Sequence, residues 1–263
     1  MKLLVRYLHE RLLFRISASP YKSHFLLKGS SLLYALDEFK ARPTIDIDLL
    51  GEHISNDSEN LKGVFQKVCA IECEDDGVTF DAASLELEPI AVEKKYPGTC
   101  VKVVARLDTI VQKVSVDIGF GDVVTPYPLS LDYPLLLPDV PAVELYAYSL
   151  ETFIAEKFHA MVDRDESNSR MKDFFDVYQL FTNHEIDTEL LAEAIVCTFK
   201  NRNTPYRENL ALFTDKFAAD STRNVLWKAF LKKIRWKEQI DFSVVMKCVK
   251  ENLQEYWSRE TLG

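Results

Sequence analysis

The sequence predicts an α+β fold, in which a mixed sheet with flanking helices is followed by a C-terminal helical bundle. Residues 24–120 contain several short segments of alternating polar and apolar residues, the period of half-buried strands. From Ser149 onwards the apolar residues recur every three or four positions, as in amphipathic helices. We therefore expect two domains, a sheet-containing domain over residues 1–140 and a helical domain over residues 141–263.

Composition limits the classes of function. The chain has 263 residues, of which 47% are hydrophobic, and its net charge is −9. This charge argues against a protein that coats nucleic acid with its whole surface, but it leaves room for a local basic patch. No apolar run reaches the roughly 20 residues that span a membrane, and charges interrupt the apolar pattern at the N-terminus, unlike in a signal peptide. The five scattered cysteines suit a reducing compartment, so we expect a cytoplasmic protein.

The first predicted element is an amphipathic helix over residues 2–16. Its arginines, Arg6, Arg11 and Arg15, are expected in solvent, with contact to nucleic acid as the alternative. Ser17 to Pro20 ends this helix.

Residues 24–50 predict a strand, a tight turn, a helix, a loop and a second strand. The first strand, residues 24–28, ends at Gly29-Ser30-Ser31, and helical spacing follows over residues 31–39. Residues 44–50 then alternate between polar and apolar types. Because alternate residues of a strand share a face, we expect Thr44, Asp46 and Asp48 to point in one direction.

This pattern indicates a site for a magnesium-bound nucleoside triphosphate. Two neighbouring carboxylates repel each other unless a cation lies between them, and oxygen ligands suit Mg²⁺. The small residues Gly29 and Ser30 at a helix start let phosphate groups approach the backbone N–H groups, where the helix dipole favours an anion.

The rest of the first domain predicts a helix from about residue 58 and then a meander of strands. These strands cover about residues 78–81, 85–93, 99–107 and 112–120, with Tyr96-Pro97-Gly98 as a hairpin turn. Asp117 stands among apolar residues of the last strand, either as a functional carboxylate or as a cap for the loop that follows. Residues 122–141 contain five prolines and read as a linker.

The helical half contains two groups of charged residues that we single out. Lys157 lies within the apolar pattern of a helix that starts near Ser149, a position typical of a lysine whose head reaches the surface. Asp173 stands at the start of the next helix beside Arg170 and Lys172, either as a helix cap with solvated basic neighbours or as part of a site.

Residues 223–237, RNVLWKAFLKKIRWK, contain six basic residues and no acidic residue. Helical spacing places Lys228, Lys232 and Arg235 on one face. With Trp227 and Trp236 between them, this face could bind RNA through phosphate contacts and stacking. The alternative is an ordinary solvated face whose tryptophans pack inward.

The ordered set of motifs resembles the AbiEii-type nucleotidyltransferase toxin family, within the DNA polymerase β-like nucleotidyltransferase superfamily. The motifs lie between about residues 6 and 205, and they are LLKGSSLL, RPTIDIDLLG, DDGVTFD, VDIGFGD, ETFIAEKFHAMV and NSRMKDFFDVYQL. A lone Asp-x-Asp is a weak signal, but the whole set in this order is specific.

The resemblance implies a nucleotidyltransferase fold for the first domain, in which a two-metal Mg²⁺ site catalyses transfer from a nucleoside triphosphate. It implies that the helical domain contributes Lys157, as a phosphate contact, and Asp173 to the active site. The implied catalytic residues are Asp46, Asp48, Asp117, Lys157 and Asp173; the first three are the metal ligands, and the nucleotide-binding residues are Lys28, Gly29, Ser30 and Lys157. Arg170 and Lys172 are further phosphate candidates.

The resemblance also implies a toxin that modifies tRNA 3′ ends and is paired with an antitoxin, often a winged-helix regulator. Two other functions stay open, namely transfer of AMP to a hydroxyl of a partner protein and a regulator that binds the nucleotide without turnover. We also hypothesise that modification of Thr44 silences the site, because a negative charge there would lie beside the metal-binding carboxylates.

Overall fold

The computed structural model describes residues 2–37, 42, 44, 46–90 and 98–258. The chain divides into two compact units. The first unit comprises residues 1–122 and 128–148, and the second comprises residues 123–127 and 149–263. No helix in the described ranges is both long enough and apolar enough to cross a membrane.

The first unit is built on a seven-stranded mixed sheet, which confirms the α+β fold class. The strands follow the spatial order β3-β4-β5-β2-β1-β7-β6. Their bounds are β1 Phe25–Lys28, β2 Ile47–Gly51, β3 Val78–Pro89, β4 Gly98–Leu107, β5 Ile110–Phe120, β6 Leu129–Tyr133 and β7 Val143–Ala147. The pair β2–β5 is parallel, as is β1–β7, whereas β1–β2 is antiparallel.

Among the described residues, the α-helices of this unit are α1 Lys2–Ser17, α2 Gly29–Leu36 and α3 Ser58–Cys69. The expected end of α2 near residue 39 and the hairpin turn at residues 96 and 97 lie outside the described residues. The predicted strands at 78–81 and 85–93 form a single strand, β3, whose pairing with β4 shifts register between Asp81 and Glu86.

The prediction that the arginines of α1 lie in solvent is wrong for two of them. Arg11 is 0% exposed and Arg15 is 1% exposed. Arg15 forms a two-pronged ion pair with the buried Asp76, and Arg11 pairs with Glu10 and donates to the carbonyl oxygen of Pro141 at 3.2 Å. The long apolar stem of an arginine can pack against apolar residues, so an arginine fits on the buried face of a helix. Its charged group is then buried as well, and here carboxylates pair with it.

The proline-rich segment is more than a linker. Residues 129–133 form β6, an edge strand that pairs antiparallel with β7. Prolines are tolerated beside an edge strand because only one side of such a strand needs backbone donors. The periodicity of this short strand is too weak to distinguish it from a loop in the sequence.

The second unit is helical, as predicted. Its aromatic core includes Phe175, Trp227 and Phe242, and the rings of Trp227 and Phe242 lie 5.6 Å apart. Its helices are α4 Leu150–Arg164, α5 Met171–Asn183, α6 Thr188–Asn201, α7 Asp215–Ala219, α8 Ser221–Ile234 and α9 Phe242–Leu253.

Candidate active site

The site in the first unit is organised around the turn from β1 into α2. Gly29 has a φ of +61°, a conformation that L side chains rarely adopt. A Cβ atom at this position would overlap the carboxylate of Asp48. Glycine is therefore required twice here, for the backbone conformation and for the close approach of this carboxylate.

Asp48 lies beside Asp117 because of the sheet register. The two residues are partners in the parallel pair β2–β5, and partners in adjacent strands extend to the same face. The flanking Ile47, Leu49 and Val116 are at most 1% exposed, so the apolar residues fill the opposite face as predicted. The backbone N–H of Ser30 donates to Asp48 Oδ2 at 3.2 Å, which joins the Gly-Ser turn to this pair of carboxylates.

The strand that carries Asp48 begins later than predicted. It starts at Ile47, so Thr44 and Asp46 precede it, and the expected strand face shared by Thr44, Asp46 and Asp48 is wrong. The hydroxyl groups of Ser31 and Thr44 both donate to the carbonyl oxygen of Asp46, each at 3.1 Å. These side-chain hydrogen bonds to the backbone hold the segment before β2 in a bend, whereas an extended strand was expected.

Asp46 and Asp117 nevertheless act on one neighbour, the thiol of Cys100. Cys100 is the partner of Asp117 in the antiparallel pair β4–β5. Burial, a hydrogen bond with Asp117 and the negative charges of Asp117 and Asp46 raise the pKa of this thiol to about 12. Cys100 and Asp117 extend to the same face of the sheet as register partners, and Cys100 borders the site as a neutral thiol.

The three carboxylates supply oxygen ligands of the type that Mg²⁺ prefers. The strand register brings the backbones of Asp48 and Asp117 together, which fits a shared metal site. Among the described residues, however, no group of three acidic, histidine or cysteine side chains is gathered around one point. The register therefore places two of the three carboxylate residues, Asp48 and Asp117, side by side in adjacent strands.

Lys28 precedes the turn and is held by two residues that sequence reasoning missed. Its ammonium group donates to Asp122 Oδ2 at 2.6 Å and to the Tyr148 hydroxyl at 3.2 Å. These partners are distant in sequence: Tyr148 follows β7, which pairs with β1, and Asp122 follows β5, which is joined to β1 through β2. Spacing alone could therefore not reveal them. Arg42 was missed as well, and its Nη2 atom donates to the Ser30 hydroxyl at 2.5 Å.

In the second unit, α4 and α5 bring together the predicted Lys157 and Asp173. The ammonium group of Lys157 lies 2.6 Å from Asp173 Oδ1 and 3.4 Å from Asp176 Oδ2, and Arg170 Nε lies 2.8 Å from Asp173 Oδ2. Burial alone would raise the pKa of Asp173, but the charges of Lys157 and Arg170 outweigh burial and hold that pKa below its usual value. Lys172 is exposed.

The residues proposed for RNA binding lie on α8 and at its C-cap. Lys228, Lys232 and Arg235 are exposed. The helix ends at Ile234, however, and Arg235 is its left-handed C-cap, so the single helical face through Arg235 is wrong. Trp227 is 1% exposed and Trp236 packs edge-on against Phe175 at 5.0 Å, so both tryptophans pack inward.

Residues 11–247 match the family of nucleotidyl transferase AbiEii toxins of type IV toxin–antitoxin systems. The chain belongs to this family. The family assignment confirms the resemblance read from the motifs and makes the protein a nucleotidyltransferase. An AbiEii toxin of this class acts on a nucleoside triphosphate and is opposed by an antitoxin.

Two solved structures from Helicobacter pylori are similar to this AbiEii-family chain. One, described as a candidate nucleotidyltransferase, is 15% identical with a TM-score of 0.49, and the match covers 98% of each chain. The other, JHP933, is 14% identical with a TM-score of 0.45, and the match covers 95% of this chain and 94% of that one. No curated protein matches the sequence.

Proposed function

We propose that this protein transfers a nucleoside monophosphate from a nucleoside triphosphate to the 3′-terminal hydroxyl of tRNA in the cytoplasm, and thereby inhibits translation. The observation that carries the proposal is the contact between the Gly29 turn and Asp48, with Asp117 beside Asp48 in the adjacent strand. This arrangement joins a phosphate-binding turn to a pair of carboxylates within one short stretch of sheet.

The nucleotide phosphates would lie at the N-terminus of α2. The first turn of this helix contains no acidic side chain, and its N-cap, Lys28, makes no side-chain capping bond. The backbone N–H groups at this end therefore favour an anion. The ammonium group of Lys28, held by Asp122 and Tyr148, adds a fixed positive charge beside the phosphates.

We propose Asp46, Asp48 and Asp117 as the residues that hold Mg²⁺, in a two-metal site once the nucleotide is bound. The metal would supply neutralisation of the charge that develops on the phosphate oxygens. The chain's own contribution is to hold the carboxylates before that moment, through Ser30 N–H for Asp48 and through the β2–β5 register for Asp117.

The chemical step is an in-line displacement at the α-phosphorus. The acceptor hydroxyl oxygen forms the new bond to phosphorus, and the bond from the α-phosphorus to the bridging oxygen breaks and releases pyrophosphate. Asp117 takes the proton of the attacking hydroxyl. The neutral Cys100 beside it does not compete as a base, because its pKa is raised to about 12, mainly by burial and then by Asp117.

Lys157 and Asp173 stay proposed participants, with Lys157 as a phosphate contact and Asp173 as the group that orients it. Their mutual distance of 2.6 Å supports this pairing. Thr44 also stays a regulatory hypothesis, since its hydroxyl is bonded to the Asp46 carbonyl oxygen at 3.1 Å. Full activity of a Thr44→Glu variant would exclude it.

The experiment incubates the purified protein with Mg²⁺, total tRNA and each α-labelled nucleoside triphosphate in turn. We expect label on tRNA with the wild-type protein, no label with Asp48→Ala, and a preference for one base. Omission of the divalent metal should abolish transfer in the wild type.

The same experiment separates the alternatives. Label on a protein in an added cell extract, with none on tRNA, would establish transfer to a protein hydroxyl and reject the tRNA proposal. Nucleotide binding without transfer to either acceptor would indicate a regulator. The proposed antitoxin, a winged-helix regulator, is tested by its ability to restore growth to cells that express the toxin.

A further inference from the structure

Helix α8 and the residues after it carry a cluster of exposed basic side chains that have no acidic partner within the described part of the chain. We call this cluster the α8 basic surface, and it consists of Lys228, Lys232, Lys233, Arg235 and Lys237. The segment from residue 223 to residue 237 contains no acidic residue, whereas the whole chain has a net charge of −9. The positive charge is therefore local.

Several exposed lysines elsewhere on the surface are paired with carboxylates. Lys113 lies 2.6 Å from a carboxylate oxygen of Glu86, and Lys247 lies 3.7 Å from one of Glu251. Arg223, the remaining basic residue of the segment, has a structural role, since its guanidinium lies 3.9 Å from the centre of the Phe217 ring. Among the residues that the structure describes, no such side-chain contact involves the five members of the α8 basic surface.

The helix dipole explains only part of the cluster. Cations are favoured within the last turn of a helix, and Lys232 and Lys233 lie there. Lys228 is more than one turn further from the end, and Lys237 lies beyond it. Lys228 and Lys232 are also four residues apart, so their like charges face each other at a cost that a bound anion would relieve.

The large aromatic residues of α8 are directed inward. Trp227 donates to the carbonyl oxygen of Ile240 at 2.7 Å, and Phe230 packs edge-on against Phe175 at 5.6 Å. The exposed face thus offers Val225 and Leu226 as its large apolar groups. Cores of protein–protein interfaces are enriched in aromatic residues, whereas contact with a phosphate backbone needs only closely spaced cations.

We infer that the α8 basic surface binds the phosphate backbone of RNA, without reading its sequence. This inference rests on the proposed function, which makes an RNA the acceptor. Trp227 is buried and Trp236 packs edge-on against Phe175, so neither ring is presented for stacking, and the interaction is electrostatic and strongly dependent on salt.

The test compares two triple variants with the same change of charge. One replaces cations of the surface, Lys228→Gln, Lys232→Gln and Lys233→Gln. The control replaces exposed lysines on α3, α6 and α7, Lys62→Gln, Lys200→Gln and Lys216→Gln. Dissociation constants for total tRNA are measured without nucleotide between 50 and 300 mM salt, so that no transfer reaction takes part.

We expect the surface variant to bind tRNA about tenfold more weakly at low salt, and the slope of log K against log salt to fall by about 2. The control variant should stay within about twofold of the wild type. Equal binding by both variants would overturn the inference, and so would wild-type protein that binds no tRNA.

The outcome is separable from that of the proposed function. If tRNA is labelled but both triple variants bind it equally, the transfer proposal stands and the surface assignment fails. If the surface variant alone loses binding but no tRNA is ever labelled, the surface assignment stands and the acceptor proposal fails.

Discussion

At residue 29 the backbone conformation and the proposed function both require glycine. The φ of +61° and the contact with Asp48 disfavour any side chain, and the neighbouring N–H of Ser30 donates to the Asp48 carboxylate. The sequence indicated this turn because it is local, with Gly-Ser directly after an apolar strand. It could not indicate Asp122, Tyr148 or Cys100, because these residues reach the site only through pairing between strands that are distant in sequence.

Gly29→Ala should therefore impair activity strongly, although it adds only one methyl group. The left-handed conformation costs about 1–2 kcal/mol for an L residue, and relief of the overlap moves Asp48. We expect nucleotidyl transfer to fall by about 100-fold. The control is Gly63→Ala in α3, where a Cβ meets no atom within 4 Å. That variant should retain full activity and gain about 1 kcal/mol of stability. Equal activity of the two variants would refute the role of the turn.

At the scale of elements, α1 was predicted as a helix, but the environment of its charged residues was not. Its amphipathic period was readable, but its charged residues are buried against partners that only the fold supplies, such as Asp76 for Arg15 and the Leu136 N–H for Glu10. His9 lies among them and is 4% exposed. Burial lowers the pKa of this histidine to about 4.

This burial makes the stability of the first unit depend on pH. Between about pH 6.5 and pH 4 the unfolded chain protonates His9 and the folded chain does not, so the unfolded state binds more protons and stability falls as pH falls. From pH 7 to pH 5 the loss from His9 is about 2 kcal/mol. Hydrogen exchange of peptides from α1 measures it.

The matched variant is His9→Gln, which cannot titrate. We compare the free energy of hydrogen-exchange protection of α1 in the wild type with that in the variant. The difference between the two proteins should change by about 2 kcal/mol between pH 7 and pH 5. Glu10, whose pKa is raised chiefly by burial, acts in the opposite direction but equally in both proteins. A pH-independent difference would contradict the assignment.

The pair of helices α4 and α5 holds Lys157 between two buried carboxylates. Asp173 is 0% exposed and Asp176 is 1% exposed, so removal of the ammonium group leaves poorly compensated buried charge. We expect Lys157→Met to lower the free energy of unfolding of the second unit by about 3–5 kcal/mol. All three tryptophans of the chain, Trp227, Trp236 and Trp257, lie in this unit, so their fluorescence during urea unfolding reports it.

The double variant Lys157→Met, Asp173→Asn is the control for this prediction. Removal of one of the buried negative charges should restore part of the lost stability. If the double variant were less stable than the single variant by the full cost of a second independent substitution, the two side chains would not be coupled.

At the scale of the whole molecule, fold class and family could be read from the sequence because both depend on the order of local motifs. The change to helical periodicity was visible from Ser149 onwards, although the expected domain boundary was placed between residues 140 and 141. The edge strand β6 was missed, since a short strand among prolines is defined by its partner β7 and not by its own pattern. The cluster of basic residues at 223–237 was visible in the sequence. The sequence did not show which of these side chains face solvent, because that depends on how α8 packs on the aromatic core of the second unit.

We propose that Asp48 and Asp117, adjacent across β2 and β5, form the catalytic centre. The most direct measurement is the single-turnover rate of label transfer by Asp117→Asn, with Asp108→Asn as its control. Asp108 is an exposed residue of the turn at the other end of the same β-hairpin. We predict a loss of roughly 1,000-fold for Asp117→Asn and an unchanged rate for Asp108→Asn. A rate for Asp117→Asn within about threefold of the wild type would contradict the account.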